Sequence, residues 1–220
     1  MAPALRISDL SFRYAPSGPQ VVDVGLLEVA PGEQTLLTAS SGAGKSTLLQ
    51  LIAGLLDPQQ GTVEIDGQAI HALRGHARDL FRGRSTGFIF QTFNLLHGFS
   101  ALENVMAALM FSSIPRAEHR RRAADLLQHL GVERIDSPAD ELSVGQQQRV
   151  AVARAVVCGP KLVLADEPTA SLDPENSSIA IDLIQSACRE AGAALLCVSH
   201  DPGMASKFAR RVTLEELRRA

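Results

Sequence analysis

Residues 39 to 47 read Ala39-Ser40-Ser41-Gly42-Ala43-Gly44-Lys45-Ser46-Thr47, and no other stretch narrows the possible folds as much. The run Thr35-Leu36-Leu37 before it has strand character, and Ser46 to Leu55 after it reads as a helix stopped by Asp57-Pro58. Glycines at 42 and 44 let successive backbone N–H groups turn inward, while the positive end of the following helix dipole faces the same point. A loop of this kind, set between a strand and a helix, is a cradle for phosphate oxygens.

Strand and helix signals alternate through much of the remaining chain, which favours an α/β fold with a parallel sheet. Leu5 to Phe12 and Val21 to Val29 alternate apolar and polar residues around Ala15-Pro16-Ser17-Gly18-Pro19, predicting an antiparallel pair. Thr62 to Ile65, Gly87 to Phe90, Leu162 to Ala165 and Ala194 to Val198 are further strand candidates, and Pro174 to Ala191 reads as a helix ending at Gly192. Between about Thr92 and Leu142 strand signals stop. Ser100 and Glu103 have capping-box spacing there, Pro115 can open the next helix, and Gly131 can close it.

At 220 residues one compact unit is expected. A net charge of -3 argues against a general polyanion binder, so no nucleic-acid partner is expected and Arg120-Arg121-Arg122 reads as a solvated helix face. Apolar runs such as Ala193 to Val198 fall far short of the roughly 18 residues that a membrane-spanning helix needs. Met1 to Arg6 carries no secretory signal, which predicts a cytoplasmic chain. Cys158, Cys188 and Cys197 lack paired metal-ligand spacing and are expected to be buried, reduced thiols.

The 39–47 segment resembles a P-loop, which implies that ATP is cradled by Ser40, Ser41, Gly42, Ala43, Gly44, Lys45, Ser46 and Thr47. Lys45 would reach the β- and γ-phosphates, and Ser46 would place its hydroxyl on Mg2+. Such loops usually begin with glycine where this chain has Ala39; if that position needs a left-handed backbone, alanine costs roughly 1–2 kcal/mol. Lys161 to Glu167 looks like a Walker B motif, an apolar strand delivering Asp166 towards the metal and Glu167 as candidate general base.

Leu142-Ser143-Val144-Gly145-Gln146 resembles the signature motif of ABC ATPases, with Val144 where that family often has glycine. Ser143 and Gln146 again have capping-box spacing, so the motif reads as a helix start with N–H groups open to an anion. Four more landmarks of the family occur in order: Tyr14 as the aromatic that stacks on adenine, Gln91 as the Q-loop glutamine near metal and water, Ala170 to Asp173 as the D-loop, and His200 as the switch histidine. The chain is thereby identified as similar to the ATPase subunits of ABC transporters. Phe90 to Leu96 with Ala101 to Val105 looks most like the lipoprotein-releasing and macrolide-exporting types.

The resemblance implies a single ABC ATPase domain over residues 1–220. Its P-loop core with an antiparallel β subdomain would span 1–91 and 151–220, and a helical subdomain carrying the signature about 92–150. It also implies a homodimer or a paired ABC ATPase subunit, with Ser143, Gly145 and Gln146 completing the partner's ATP site. Separate transmembrane permease subunits would hold the chain at the cytoplasmic face of the inner membrane. Thr92 to Leu96 is a candidate dock for them, with buried packing an equally open reading. About twenty residues follow His200, so a minimal motor without a regulatory domain is expected, its last strand truncated or replaced by helix. Two other readings stay open: an ABC-type ATPase that regulates a membrane partner without transport, and a P-loop small-molecule kinase. The cargo is recognised in other chains.

Overall fold

The computed structural model describes residues 2–40, 42–170 and 172–219. Strand β1 (Leu5–Phe12) pairs antiparallel with β2 (Val22–Val29), Leu5 opposite Val29 and Phe12 opposite Val22. Its other edge pairs with β4 (Gln60–Ile65), and the two-residue β5 (Gln68–Ala69) completes a four-stranded sheet in the order β2-β1-β4-β5. The β1–β4 register shifts between Ser8 and Ser11, where Asp9 takes a φ of 51°.

The second sheet is parallel throughout. It comprises β3 (Gln34–Thr38), β6 (Thr86–Ile89), β7 (Leu162–Asp166), β8 (Ala194–Val198) and β9 (Arg210–Thr213), in the order β6-β7-β8-β3-β9. Alternate residues of its central strands point to opposite faces, as the period of two requires. Leu162, Leu164, Leu196 and Val198 join the antiparallel sheet and α1 (Lys45–Ile52) in one core, while Val163, Ala165, Leu195 and Cys197 join the helices on the other side. A sheet covered on both faces explains why β7 and β8 read as continuous apolar runs.

The helices behind the sheet are α3 (Ala101–Leu109), α4 (Arg116–His129), α5 (Val144–Val156) and α6 (Pro174–Glu190). Their starts follow local chemistry. Ser100 and Glu103 form the expected capping box, Pro115 precedes α4, and Gly131 closes it with a φ of 76°. Asp173 caps α6 by accepting from the N–H groups of Glu175 and Asn176. α5 runs continuously past residue 150, and its buried face packs in the same core as β7 and α6.

Two details depart from the sequence reading, and a third settles between its alternatives. α1 ends at Ile52, three residues earlier than predicted, and Gly54 turns the chain with a φ of 67°. Helix α2 (Gly75–Ser85) had no apolar stripe to reveal it, because none of its side chains is buried. A single half-buried Phe81 packs against the core and arginines supply the rest: Arg78 pairs with Asp57 at 2.9 Å, and Arg78 and Arg82 donate to the carbonyl of Gly54 beyond the C-terminus of α1. The last strand is short but present, since β9 extends β3 and is followed by turns around the buried Leu214.

The segment after β6 is tied down by two side chains. Arg154 of α5 donates to the carbonyls of Phe93 and Asn94, at 2.6 Å each, where both residues have positive φ. Asn104, fully buried in α3, accepts from the Leu96 N–H at 2.7 Å and donates to the carbonyls of Leu96, Phe99 and Ser100. Replacing Asn104 with alanine would take the acceptor from the Leu96 N–H, while the three carbonyls keep backbone donors at Phe99, Ala139 and residue 104 itself, so Asn104→Ala is expected to lower the unfolding free energy by about 1–3 kcal/mol in urea titrations.

Candidate active site

Parallel strands end at one edge, and four of those ends meet here. The loop after β3 leads into α1, β7 ends at Asp166 with Glu167 next, Ser199 and His200 follow β8, and Gln91 follows β6. Together with Tyr14 from the loop after β1 they enclose a cleft of about 500 Å³, lined by Tyr14, Val21, Gly42, Gly44, Lys45, Ser46, Thr47, Gln91, Glu167 and His200. A hollow of about 530 Å³ lies elsewhere, between α4, α5 and α6, but converging polar groups rather than volume mark a chemical site.

The loop is shaped by its glycines. Gly42 has a φ of 78°, and Gly44, which caps α1, has a φ of 92°. A β-carbon on Gly44 would also overlap the carbonyl oxygen of Val21. Ala39 is not among the positive-φ residues, so the conditional penalty for alanine there does not arise; its carbonyl instead accepts from Lys45 Nζ at 2.8 Å. Ser40 and Ala43 belong to the same loop without lining the cleft, joined by the Ala43 N–H to Ser40 carbonyl bond. Ser41 and Ser171 lie outside the described residues.

Glu167 is the centre of the site's hydrogen bonding. It is 8% exposed, with a φ of 45° that a non-glycine residue adopts only under constraint. The constraint is visible: its N–H donates to the Val198 carbonyl at 2.9 Å. Its carboxylate accepts from Ser199 Oγ at 3.1 Å and from the His200 N–H at 3.3 Å. His200 Nδ1 stands 2.7 Å from Oε1, which assigns the ring proton to Nδ1, and Lys45 Nζ is 3.5 Å from the same oxygen. Ser199 is a residue that the sequence reading passed over; its place beside His200 at a strand end was the available signal.

Asp166 behaves differently. Burial raises its pKa, and the neighbouring Glu167 charge adds to the rise, against a hydrogen bond from Ser46 and the charge of Lys45. Its Oδ1 is buried without a partner among the described residues. Tyr14 is 66% exposed, its hydroxyl 3.0 Å from Thr47 Oγ1 and its ring edge-on to Phe12 at 5.0 Å. Val21, also not foreseen, forms the cleft wall facing Gly44.

Ser143, Gly145 and Gln146 do not join this cleft. They open α5 with the expected capping box, Gln146 N–H to Ser143 Oγ and Ser143 N–H to Gln146 Oε1 both at 3.3 Å. Ser143 and Gly145 are exposed, a β-carbon on Gly145 would meet nothing within 4 Å, and Val144 is 52% exposed. The cysteines are free, with burial pushing the Cys158 thiol to about 11 and the Cys188 thiol to about 12.

A glycine loop opening a helix, beside a strand that ends in an Asp-Glu pair within a parallel sheet, defines a P-loop nucleotide hydrolase. A family model described as ABC transporter matches residues 24–170. The lipoprotein-releasing system ATP-binding protein LolD 1 of Caulobacter vibrioides is 46% identical over 193 residues, covering 86% of this chain and 82% of that protein. LolD of Geobacter metallireducens is 41% identical over 218 residues, covering 97% and 96%. Among solved structures, the dimeric post-hydrolysis state of the ATP-binding cassette MJ0796 with ADP and Pi superposes with a TM-score of 0.81 at 31% identity, covering 95% of this chain and 93% of that one. The chain belongs to the ABC transporter family, as an ATP-binding subunit that hydrolyses ATP.

The Gly44 geometry sets a direct test. Gly44→Ala must force a left-handed alanine, costing about 1–2 kcal/mol before the Val21 overlap is counted. Thermal unfolding without nucleotide is expected to show the loss, and nucleotide binding by calorimetry is expected to fall with it.

Proposed function

We propose that this chain hydrolyses ATP in the cleft with Glu167 as general base, and that two such subunits clamp nucleotide between them to drive a membrane permease of the lipoprotein-releasing type. One observation carries the reading: a buried carboxylate, on the cleft wall, is oriented from three sides by Lys45, Ser199 and His200. Adenine would stack on Tyr14, and the loop N–H groups from 40 to 47 would hold the phosphates with Lys45 on the β- and γ-oxygens. Glu167 takes a proton from water as the water oxygen bonds to the γ-phosphorus. The bond from that phosphorus to the β,γ-bridging oxygen breaks, its electron pair leaving with ADP, while Gln91 and His200 hold the water and the γ-phosphate.

The residues present fit a magnesium ion, because the buried Asp166 oxygen beside Ser46 is a hard donor with no hydrogen-bond partner among the described residues. Ser46, Asp166 and Gln91 would hold it, and when bound it neutralises phosphate charge. Addition of Mg2+ without nucleotide is expected to raise the melting temperature of the wild-type chain and not that of Asp166→Asn. An equal rise in both would remove Asp166 from the metal site.

Ser143 and Gly145 are exposed at the start of α5, away from the chain's own cleft and with open space at Gly145, which supports a second subunit's ATP as the ligand of Ser143, Gly145 and Gln146. Closure then depends on γ-phosphate contacts from both subunits and relaxes when phosphate leaves. The segment about 92–150 would move with the signature, around Gln91, against the remaining core, and the unbroken α5 would carry residues up to Val156 with it. Of the candidate dock Thr92 to Leu96, Phe93 is buried packing, whereas Leu96 is exposed, as is nearby Phe99. We assign these two to the permease contact. No helix among the described residues is long and apolar enough to cross a membrane, so the permease would supply the attachment to the cytoplasmic face. The relatives' names support lipoprotein release as the cargo class.

Glu167→Gln is expected to bind ATP, to lose about 10²- to 10⁴-fold in turnover, and to sediment as a dimer only with ATP. Near-normal turnover would reject Glu167 as the base, and an ATP-bound monomer would reject the clamp. A tagged chain purified from its own membranes is expected to bring a permease with it.

A further inference from the structure

Tyr14 lies two residues beyond the end of β1, where ladder hydrogen bonds no longer fix the backbone. The β1–β4 register near that end sets Ser11 opposite Gln60, so its continuation brings Arg13 opposite Pro58. Proline has no N–H to give, and the ladder would stop there with the Arg13 carbonyl unserved. The Gln59 side chain takes over both roles. Its Nε2 donates to the Arg13 carbonyl at 2.8 Å, and its Oε1 accepts from the Arg13 N–H at 2.7 Å. Gln59 is itself anchored, its backbone N–H donating to the Ser11 carbonyl at 3.1 Å.

We propose that Gln59 is a positioning residue for nucleotide binding, its amide extending the sheet by one residue and so fixing Tyr14 at the angle at which a base can stack. Gln59 does not line the cleft, and its bonds to the Arg13 backbone reach the site through the adjoining Tyr14. On the ring side the same placement is completed by the Phe12 edge contact and the Thr47 hydroxyl. Side-chain and backbone constraints therefore converge on the one exposed aromatic at the cleft mouth, and ordering it beforehand lowers the entropy lost on stacking. The proposal rests on the reading of Tyr14 as the base platform.

The chain has one tyrosine and no tryptophan, so intrinsic fluorescence reports Tyr14 without interference. In Gln59→Ala the tyrosine anisotropy is expected to drop. KM for ATP is expected to rise about two- to tenfold, the value of one or two net hydrogen bonds, with kcat at saturating ATP unchanged. Affinity for inorganic tripolyphosphate, which has no base, is expected to stay at the wild-type level, and the neighbouring Gln60→Ala is expected to match wild type throughout. Gln59→Glu keeps the acceptor and loses the donor, and is expected to fall between wild type and alanine.

Tyr14→Ala separates the two ideas. If it weakens ATP but not tripolyphosphate while Gln59→Ala leaves ATP binding intact, the role of Gln59 is overturned and the base platform stands. If Tyr14→Ala leaves ATP binding intact, the platform falls and the proposal with it. Equal weakening of ATP and tripolyphosphate in Gln59→Ala would mark a general structural defect and overturn the proposal as well.

Discussion

The site depends on β8 lying between β7 and β3 with all three strands parallel. Parallel strands point their carboxyl ends the same way, so residues 39–47, 166–167 and 199–200, far apart in sequence, emerge side by side. Ladder hydrogen bonds hold that adjacency to strand spacing, about 4.7–4.9 Å. The arrangement requires long crossovers, and those crossovers supply α1 on one face and the α3 to α6 layer on the other. Burial on both faces then stabilises the sheet, with a fully buried Leu or Val contributing about 1.5–3 kcal/mol.

Within that frame the charges are unequally served. Glu167 has a lysine, a hydroxyl, a backbone N–H and an imidazole around it, which compensates for its desolvation. Asp166, one residue earlier, keeps an oxygen without a hydrogen-bond partner among the described residues. Two adjacent carboxylates thus face different environments, because Glu167 lies one residue past the end of β7 on a left-handed backbone that strand alternation does not govern. That backbone turns the Glu167 side chain into the cleft.

Helix α5 joins two regions that the cleft alone does not connect. Its first turn presents Ser143 and Gly145 outward, and near its last turn Arg154 grips the carbonyls of Phe93 and Asn94. Burial lowers the pKa of Arg154, yet a guanidinium stays charged, so its two bonds to carbonyls are charge-assisted. Thirteen helical residues form a rod about 20 Å long, and a tilt at one end must appear at the other. Gln91 stands two residues before the first gripped carbonyl and lines the cleft.

Much was legible in the chain because local chemistry specified it: the glycine loop, the capping boxes at Ser100 and Ser143, the apolar runs of β7 and β8, and the antiparallel pair β1 and β2. Each of these is a short-range rule about backbone conformation or burial, and the sequence carries such rules directly. Helix α2, the roles of Ser199 and Val21, and the Gln59 bridge to Arg13 were not legible. α2 is held by arginines rather than an apolar stripe, and the others are pairings across dozens of residues. Likewise, alanine at position 39 is harmless only because the folded loop leaves it out of the left-handed region. Sequence alone determined which chemical groups the chain possesses and which local shapes they favour. Tertiary structure decided which groups meet, since strand order and register, set by burial of the whole sheet, are not written in any single segment.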